Sequence, residues 1–304
     1  MHLLITGAAG FIGSALTRAL RTAGHTVTAV DDLSVESPRA RPDGLQVRDV
    51  RSLTPHDLDG ADTVVHLAAH KSVPASFLTD AFEHNTAADA HLIRAFARST
   101  ARRLLLASSC EVYGQHAGPL PETAARAPRS PYATGKAATE HLAEVYRPLL
   151  GPGRQIAVAR LFNTFGPDEG ADAVVPAFLD AAADDGELTM EGDGGQARDL
   201  THIDDMTAML TRILARRDLL PIVNCGSGRA CTILELARSV IRVAGGGRVR
   251  RVPARPNEIR SFTADTTLFA DVYGLLPHRP LAAALADTLR QRRPQHCTST
   301  GAPR

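Results

Sequence analysis

The sequence contains few cysteines, no tryptophan and almost no lysine. Of its 34 basic residues, only Lys71 and Lys136 are lysines, so nearly all of the positive charge comes from arginine. The four cysteines form no CxxC pair and no Cys/His metal spacing. This usage favours free thiols in a reducing compartment, so we expect a cytoplasmic protein without a metal site.

The sequence also lacks long apolar runs and a large net charge. No apolar run approaches the length of a membrane span, and the first run, LLIT at residues 3–6, comes without a basic segment or a cleavage site. The formal charge is +1, with acids and bases interspersed, which gives no field that would attract nucleic acid or an anionic membrane. We therefore expect no secretion, no membrane and no nucleic acid, but a small-molecule partner.

Short apolar runs alternate with helix-like segments through the first half of the chain. LLIT, VTAVD, DTVVHLAA, LLLASS and QIAVARLFN have strand length, and helical patterns, such as one from about residue 81 to 98, lie between them. This alternation predicts an α/β fold with a doubly wound parallel sheet (Rossmann) and a smaller interleaved C-terminal lobe. The predicted Rossmann domain covers residues 1–165 and about 199–244, the substrate lobe covers 166–198 and 245–290, and 291–304 is a disordered tail.

A glycine-rich turn, GAAGFIG, follows the first strand at residues 7–13. Such a turn lets backbone N–H groups and a helix N-terminus approach a pyrophosphate, and its GxxGxxG spacing is a variant of the dinucleotide fingerprint. Asp31 ends the second strand, where a carboxylate binds ribose hydroxyls and repels a 2′-phosphate, which predicts NAD rather than NADP. Asp49 is placed to meet the adenine, although a loop aspartate also serves as a helix cap.

The segment SPYATGKAATE places Tyr132 and Lys136 four residues apart, on one face of a helix. A phenol acts as a base at neutral pH only if its pKa of about 10 falls by about three units, roughly 4 kcal/mol, which an ammonium and a cationic nicotinamide can supply. We interpret the pair as the acid/base group of a hydride transfer. Because YxxxK also occurs by chance on exposed helices, this interpretation depends on the glycine turn, Asp31 and the serine that ends the preceding strand.

Ten stretches, in order along nearly the whole chain, resemble one enzyme family. They are GAAGFIG, VDDLS, RDV, HLAAHKSVPASF, SSCEVYG, SPYATGK, RLFNTFGP, GDGGQARDLTHIDD, VNCGSG and RPNE. The chain thus resembles an extended short-chain dehydrogenase/reductase of the NAD-dependent epimerase/dehydratase kind. The resemblance implies an NAD cofactor, a nucleotide-sugar substrate, a homodimer and a hydride-transfer triad of Ser109, Tyr132 and Lys136, with Tyr132 as the base for a sugar hydroxyl.

The same resemblance implies the residues that contact each ligand, and both lysines fall among them. An arginine suits a diphosphate because its planar fork engages two oxygens at once. The implied cofactor residues are Gly7, Gly10, Phe11, Ile12, Gly13, Asp31, Asp32, Ser34, Asp49, Val50, Leu67, Ala68, Ala69, Lys71, Tyr132, Lys136 and Phe162. The implied substrate residues are Lys71, Ser72, Asn163, Val175, Arg198 and Arg255.

The chain departs from the family pattern in two helices. After HNT it continues AAD, at residues 87–89, where relatives often have a Gly-Thr pair, and we expect this change to affect local packing more than chemistry. Gly135 replaces a frequent serine, with a small loss of hydrogen bonding near the pyrophosphate.

The stretch SSCEVYG carries the main functional hypothesis. Simple 4-epimerases of the family have small inert residues where this chain has Cys110 and Glu111, whereas 4,6-dehydratases have an Asp-Glu pair there. A 4-ketone acidifies the C5 hydrogen, which Glu111 can remove, and a thiol with a pKa of about 8.5 can protonate the leaving hydroxyl without tuning. Alternatively, Cys110 is a buried filler and Glu111 anchors the loop.

We therefore predict a dehydratase, because these stretches are most similar to a nucleotide-sugar 5,6-dehydratase. The predicted reaction on a UDP-N-acetylglucosamine-like sugar is C4 oxidation, C5 deprotonation, loss of the C6 hydroxyl and hydride return to C4, which leaves a 5,6-alkene for antibiotic biosynthesis. Four alternatives stay open: a UDP-sugar 4-epimerase, the same dehydration on a nucleoside sugar, a UDP-glucuronate decarboxylase, and an NAD-sensing protein without turnover.

Overall fold

A seven-stranded parallel sheet lies at the centre of the computed structural model, which describes residues 1–35, 41–255, 258–275 and 279–296. Every neighbouring pair of its strands is parallel, which confirms the predicted doubly wound α/β fold. From one edge to the other, numbered in chain order, the strands are β11 (Ile222–Cys225), β6 (Gln155–Leu161), β5 (Arg103–Ser109), β4 (Thr63–His66), β1 (His2–Thr6), β2 (Thr26–Asp31) and β3 (Gln46–Val47).

Helices cover both faces of this sheet. Successive strand residues point to opposite faces of the sheet. Leu3 and Ile5 therefore pack on one face, with helices α1 and α6, and Leu4 packs on the other face, with helices α3 and α4. Within the described ranges, no helix combines the length and apolar character that a membrane crossing requires. The helices on the sheet are α1 (Phe11–Thr22), α2 (Pro55–Leu58), α3 (Ala81–Arg98), α4 (Pro131–Tyr146) and α6 (Ile203–Ala215).

A separate hydrophobic cluster forms the smaller lobe. It contains apolar residues of α5 (Val174–Ala183), β8 (Glu187–Glu191), α7 (Ile233–Ala244), β13 (Arg248–Val252) and α9 (Leu281–His296). Although the predicted boundaries place α7 in the Rossmann domain, its apolar face packs here against α5 and α9. The remaining elements are β7 (Thr164–Phe165), β9 (Ala197–Asp199), β10 (Thr201–His202), β12 (Ala230–Thr232) and α8 (Thr267–Tyr273).

The prediction of a disordered tail from residue 291 is wrong for its first part, because α9 continues to residue 296. The physical reason is Arg292, which is only 8% exposed. Its guanidinium pairs with Asp180 of α5 at 2.5 Å and donates to the backbone carbonyls of Pro167 and Glu169 at 3.0 Å. Residues 297–304 lie outside the described part of the chain.

Asp199, at the end of β9, joins the lobe to the sheet. Its carboxylate is fully buried and accepts hydrogen bonds from the backbone N–H groups of Ser227, Gly228 and Ala264 at 2.7, 2.8 and 3.1 Å. The Ser227 hydroxyl donates to it as well, at 2.6 Å. Through these hydrogen bonds Asp199 fixes the loop after β11 and the segment before α8 against β9.

Candidate active site

The predicted catalytic and cofactor residues follow the carboxyl ends of five neighbouring strands. In doubly wound folds ligands bind at this edge, where the strand order changes direction, which here is between β1 and β4. The residues placed there are Gly7, Gly10, Phe11, Ile12 and Gly13 after β1, Asp31, Asp32 and Ser34 at β2, Leu67, Ala68, Ala69, Lys71 and Ser72 after β4, Ser109, Cys110 and Glu111 at β5, and Phe162 and Asn163 after β6.

The turn after β1 accepts only glycine at two positions. Gly7 has φ +71°, and a Cβ there would lie 2.5 Å from the Ala68 nitrogen. A Cβ on Gly13 would lie 2.0 Å from the Gly7 carbonyl oxygen. Gly10, the N-cap residue of α1, provides no side chain to cap the helix, so the N-terminal amides of α1 suit an anionic ligand. The turn therefore fits the pyrophosphate of a dinucleotide.

Asp31 lies beside this turn with a fixed carboxylate. It accepts hydrogen bonds from the backbone N–H groups of Ala9 at 3.0 Å and Leu33 at 2.8 Å, one on each oxygen. Because each carboxylate oxygen has two lone pairs, both can still accept from ribose hydroxyls. Asp32 similarly accepts from the Ser34 N–H group at 2.9 Å.

Asp49 acts as a cap in this structure. Its carboxylate accepts from the Arg51 N–H group at 2.7 Å, at the start of the short 3-10 helix Val50–Ser52, and also pairs with the Arg51 guanidinium at 2.5 Å. The hydrogen bond from the Arg51 side chain lowers the pKa of Asp49. Its contact with adenine stays a prediction.

We expect Asp31→Ala to weaken NAD binding about tenfold and to shift the NAD/NADP affinity ratio towards NADP, because it removes hydrogen bonds to a charged acceptor and the repulsion of a 2′-phosphate. Calorimetric titration with both dinucleotides measures this ratio. Asp43→Ala, an exposed acid in the loop before β3, is the matched control and should bind as the unaltered protein does. NADP binding as tight as NAD binding in the unaltered protein would contradict the prediction.

The structure brings the three predicted triad residues to one place. Ser109 ends β5, and its hydroxyl accepts from the Glu111 N–H group at 3.2 Å, capping the 3-10 helix Cys110–Tyr113. The hydroxyl of Ser130 caps α4, so Tyr132 lies in its first turn and Lys136 one turn further on. Tyr132 and Lys136 are buried, at 9% and 3% exposure.

The surrounding protein opposes ionisation of Tyr132. Burial raises the pKa of its phenol above the ordinary value, whereas hydrogen bonding with Ser109 lowers it. The negative charges of Glu111 and Asp89 raise this pKa further. The lowering that a base needs must therefore come from positive charge, that of Lys136 and of the nicotinamide ring.

A buried acid that the sequence reasoning missed anchors the catalytic helix. Glu140 of α4 is fully buried and accepts from the Ser108 hydroxyl at 2.6 Å and from Arg160 of β6 at 2.7 and 2.9 Å. The sequence could have identified Glu140, because it lies four residues after Lys136 and so on the same face of α4. Because Ser108 precedes Ser109, this network fixes the face that carries Tyr132 against the end of β5.

Burial raises the pKa of both Cys110 and Glu111. Cys110 is 3% exposed and packs among apolar side chains that include Val112 and Phe262. Burial, and then the nearby Glu111 charge, raise the pKa of the thiol well above its ordinary value, which keeps the thiol protonated but makes it a weaker acid than an ordinary cysteine. Burial also raises the pKa of Glu111 to about 7, against the attraction of Arg198. Near neutral pH Glu111 can therefore both accept and donate a proton.

The two predicted diphosphate arginines are each held by an acid. Arg198 pairs with Glu258 and donates to the Ile259 carbonyl at 2.9 Å, and Arg255 pairs with Glu191 at 2.6 Å. A cleft of about 350 Å³ opens at Arg255 and at Glu258, the partner of Arg198. It is lined by Glu191, Gly192, Asp193, Gln196, Ala254, Arg255, Glu258 and Arg260, of which the sequence reasoning identified only Arg255.

The other predicted substrate residues lie in different settings. The side-chain oxygen of Asn163 is buried and has no hydrogen-bond partner among the described residues, so it is available to a ligand. Lys71 lies 3.9 Å from Glu169, with its ammonium over the Phe11 ring. Val175 is 2% exposed within the apolar cluster of the lobe, and a substrate contact there stays a prediction.

Comparison with known proteins agrees with this geometry. Residues 3–226 match the model of the NAD dependent epimerase/dehydratase family. The solved structure of TunA, described as an NAD-dependent NDP-hexosamine 5,6-dehydratase involved in tunicamycin biosynthesis, is 34% identical with a TM-score of 0.90, and the match covers 96% of this chain and 98% of TunA.

Two further proteins show the same likeness. MoeE5, solved in complex with UDP-glucuronic acid and NAD, is 30% identical with a TM-score of 0.88, over 97% of this chain and 100% of MoeE5. A dTDP-glucose 4,6-dehydratase of Streptomyces niveus is 30% identical over 95% of this chain and 92% of its own length. The chain therefore belongs to the NAD-dependent epimerase/dehydratase family and is an enzyme with NAD as its cofactor.

Proposed function

We propose that the protein is a nucleotide-sugar dehydratase that converts a UDP-N-acetylglucosamine-like sugar into a 5,6-alkene. The observation that carries this proposal is Glu111, a largely buried carboxyl group with a pKa of about 7, two residues after Ser109. A simple epimerase has no step for such a group, whereas an elimination needs a base for the C5 proton. The likeness to TunA and to a 4,6-dehydratase supports the same reading.

In the proposed steps each of three side chains moves a different proton. The glycine turn and Asp31 would hold NAD, which would supply the acceptor and the donor for the C4 hydride. Tyr132, hydrogen-bonded with Ser109 and close to Lys136, accepts the C4 hydroxyl proton and returns it at the end. Glu111 removes the C5 proton that the 4-ketone has acidified, and the Cys110 thiol protonates the C6 hydroxyl as it leaves. One water is lost from C5 and C6, and the proton that Glu111 took up passes to the Cys110 thiolate, so both side chains return to their starting forms.

The biological setting of this reaction belongs to the proposal as well. A role in antibiotic biosynthesis rests on the likeness to TunA alone. A homodimer and a cytoplasmic location stay predictions.

Mass spectrometry of the purified protein with NAD and a panel of sugars tests the function. The panel contains UDP-N-acetylglucosamine, UDP-glucose, UDP-glucuronate and the nucleoside sugar that lacks the diphosphate. We expect loss of one water from a nucleotide sugar and an alkene signal in the product. A 6-deoxy-4-keto product would mean hydride return to C6, and loss of carbon dioxide would mean a decarboxylase.

A second candidate function, a UDP-sugar 4-epimerase, is favoured by the burial of Cys110. A thiol whose pKa is raised well above its ordinary value is a weak acid for a leaving hydroxyl, and Cys110 packs in an apolar cluster as a structural residue would. In that case the product has the mass of the substrate and an inverted C4.

We expect Cys110→Ser to slow water loss about 10²-fold while C4 oxidation changes little, because a hydroxyl is a far poorer proton donor than a thiol. Single-turnover measurements of reduced cofactor and of product separate the two steps. Cys231→Ser, a half-buried thiol at β12, is the control and should leave both rates unchanged. Water loss at the unaltered rate in Cys110→Ser would make Cys110 a packing residue.

A further inference from the structure

A second buried carboxylate, Asp89 of α3, faces the catalytic helix. Asp89 is 1% exposed, and its Oδ2 lies 3.5 Å from Nζ of Lys136. The Thr139 hydroxyl, on the same face of α4 as Lys136, donates to Oδ2 as well. The triad lysine therefore has a counter-ion that comes from a different helix.

The other oxygen of Asp89 belongs to a chain of hydrogen bonds. Oδ1 lies 2.7 Å from Nε2 of His66, and Nδ1 of His66 lies 2.6 Å from the Thr6 hydroxyl. Because an ionised carboxylate only accepts, His66 donates from Nε2 to Asp89, and its Nδ1 meets the Thr6 hydroxyl, which can either donate or accept. Asp89 thus lies between two basic side chains, Lys136 of α4 and His66 of β4.

Asp89 is ionised at neutral pH. Burial raises its pKa, but the attraction of Lys136 and the hydrogen bond from His66 outweigh this effect and hold the pKa at about 2. From the sequence we expect residues 87–89 to affect packing more than chemistry. The Asp89 carboxylate nevertheless lies beside Lys136 and raises the pKa of Tyr132.

We propose that Asp89 is a positioning residue of the hydride transfer, which holds the Lys136 ammonium in place and, by partly neutralising it, sets the pH at which Tyr132 becomes a base. The reasoning is electrostatic, because an ammonium paired with a carboxylate stabilises a phenolate less than an unpaired one does. This inference rests on the proposed function for its kinetic consequence, whereas its electrostatic part concerns Tyr132 and Lys136 in the protein itself.

Other charged groups also face Tyr132, and the experiment has to separate them from Asp89. Glu111 and Cys110 approach from the 3-10 helix after β5, Lys136 lies on α4 itself, and Arg198 of β9 acts on Glu111. Since the pKa of Glu111 is about 7, its titration overlaps with a shifted tyrosine. Glu111→Gln is therefore the background for the measurement.

The first test reads the ionisation of Tyr132 without turnover. The tyrosinate absorbance of the Glu111→Gln protein is titrated with and without Tyr132→Phe, and the difference belongs to Tyr132. In Asp89→Asn, with Lys136 no longer neutralised, we expect the phenolate to form about one pH unit lower or more. Asp89→Glu restores the charge and should return the titration towards that of the parent.

The second test measures hydride transfer. The rate of cofactor reduction by UDP-N-acetylglucosamine is determined in single turnovers over a range of pH. A base that ionises at lower pH is active at lower pH, so the acidic limb of the profile should move down by the same amount in Asp89→Asn. Thr139→Val removes a hydrogen bond to Asp89 but no charge, and it should lower the rate without moving the limb. If Asp89→Asn does not fold, Asp89→Thr carries the same comparison.

The outcomes distinguish the two proposals. An unmoved titration and an unmoved limb in Asp89→Asn, with a lower rate, would make Asp89 purely structural and overturn the inference while the function stands. A parent that reduces no cofactor with any sugar, but whose Tyr132 titration shifts in Asp89→Asn, would overturn the function and keep the electrostatic role of Asp89.

Discussion

Glu111→Gln should abolish the loss of water, by about 10³-fold or more, while C4 oxidation continues. The amide keeps the size of the side chain but cannot accept the C5 proton. Reduced cofactor should therefore accumulate after sugar is added, visible in its absorbance, and mass spectrometry should find no alkene. Because the pKa of Glu111 is about 7 and the carboxylate is the reactive form, water loss in the unaltered enzyme should rise as the pH passes upward through 7.

The matched control for this variant is Glu187→Gln. Glu187 lies on β8, is 41% exposed at its side chain and pairs with Arg248 and Arg250 at the surface. Such exposed pairs contribute little to stability, so the control should dehydrate at the unaltered rate. If Glu111→Gln still released alkene, the base would be another group. If the unaltered protein and Glu111→Gln both gave only a C4-inverted sugar, the protein would be an epimerase.

Tyr132→Phe should reduce C4 oxidation by at least about 10²-fold, because it removes the proton acceptor but keeps the ring. Water loss should fall by the same factor, since no 4-ketone forms to acidify the C5 hydrogen. Single-turnover cofactor reduction therefore distinguishes this variant from Glu111→Gln, in which reduction persists.

Tyr146→Phe, at the other end of α4, is the control for losing a phenol hydroxyl from the same helix. It should oxidise C4 at the unaltered rate. Near-normal turnover of Tyr132→Phe, with an unchanged melting temperature, would refute the assignment of Tyr132 as the base.

The parts of the fold that local patterns determine were predictable from sequence. A short apolar run, a glycine turn and an amphipathic helix are each visible within about 20 residues, and so β1, the turn at residues 7–13 and α3 follow directly from the sequence. The helix predicted over residues 81–98 is α3.

The lobe could not be predicted in this way, because distant contacts determine it. The segment RVRRV is rich in arginine and has no buried residue, yet it forms β13 by pairing in parallel with β8. Arg292 extends α9 through a contact with Asp180, which lies 112 residues earlier in the chain. In both pairs the residues near one partner in the sequence give no information about the other partner.

The same distinction holds within the site. The spacing of Tyr132 and Lys136 identifies the pair, but the Lys136 counter-ion comes from α3, which the helical pattern alone does not place beside α4. The raised pKa values of Cys110 and Glu111 likewise depend on burial by segments far along the chain, such as the one that contains Phe262.

The position of β11 has a consequence for how the chain folds. The chain passes through all elements from β7 to α6 before β11 pairs with β6. Pairing these two strands therefore closes a long loop, and the entropic cost of closing that loop delays the pairing. During synthesis the first six strands can assemble before β11 leaves the ribosome. Until then β6 is an open edge whose backbone groups can pair with another chain, so a polypeptide that stops short of residue 222 is prone to aggregate.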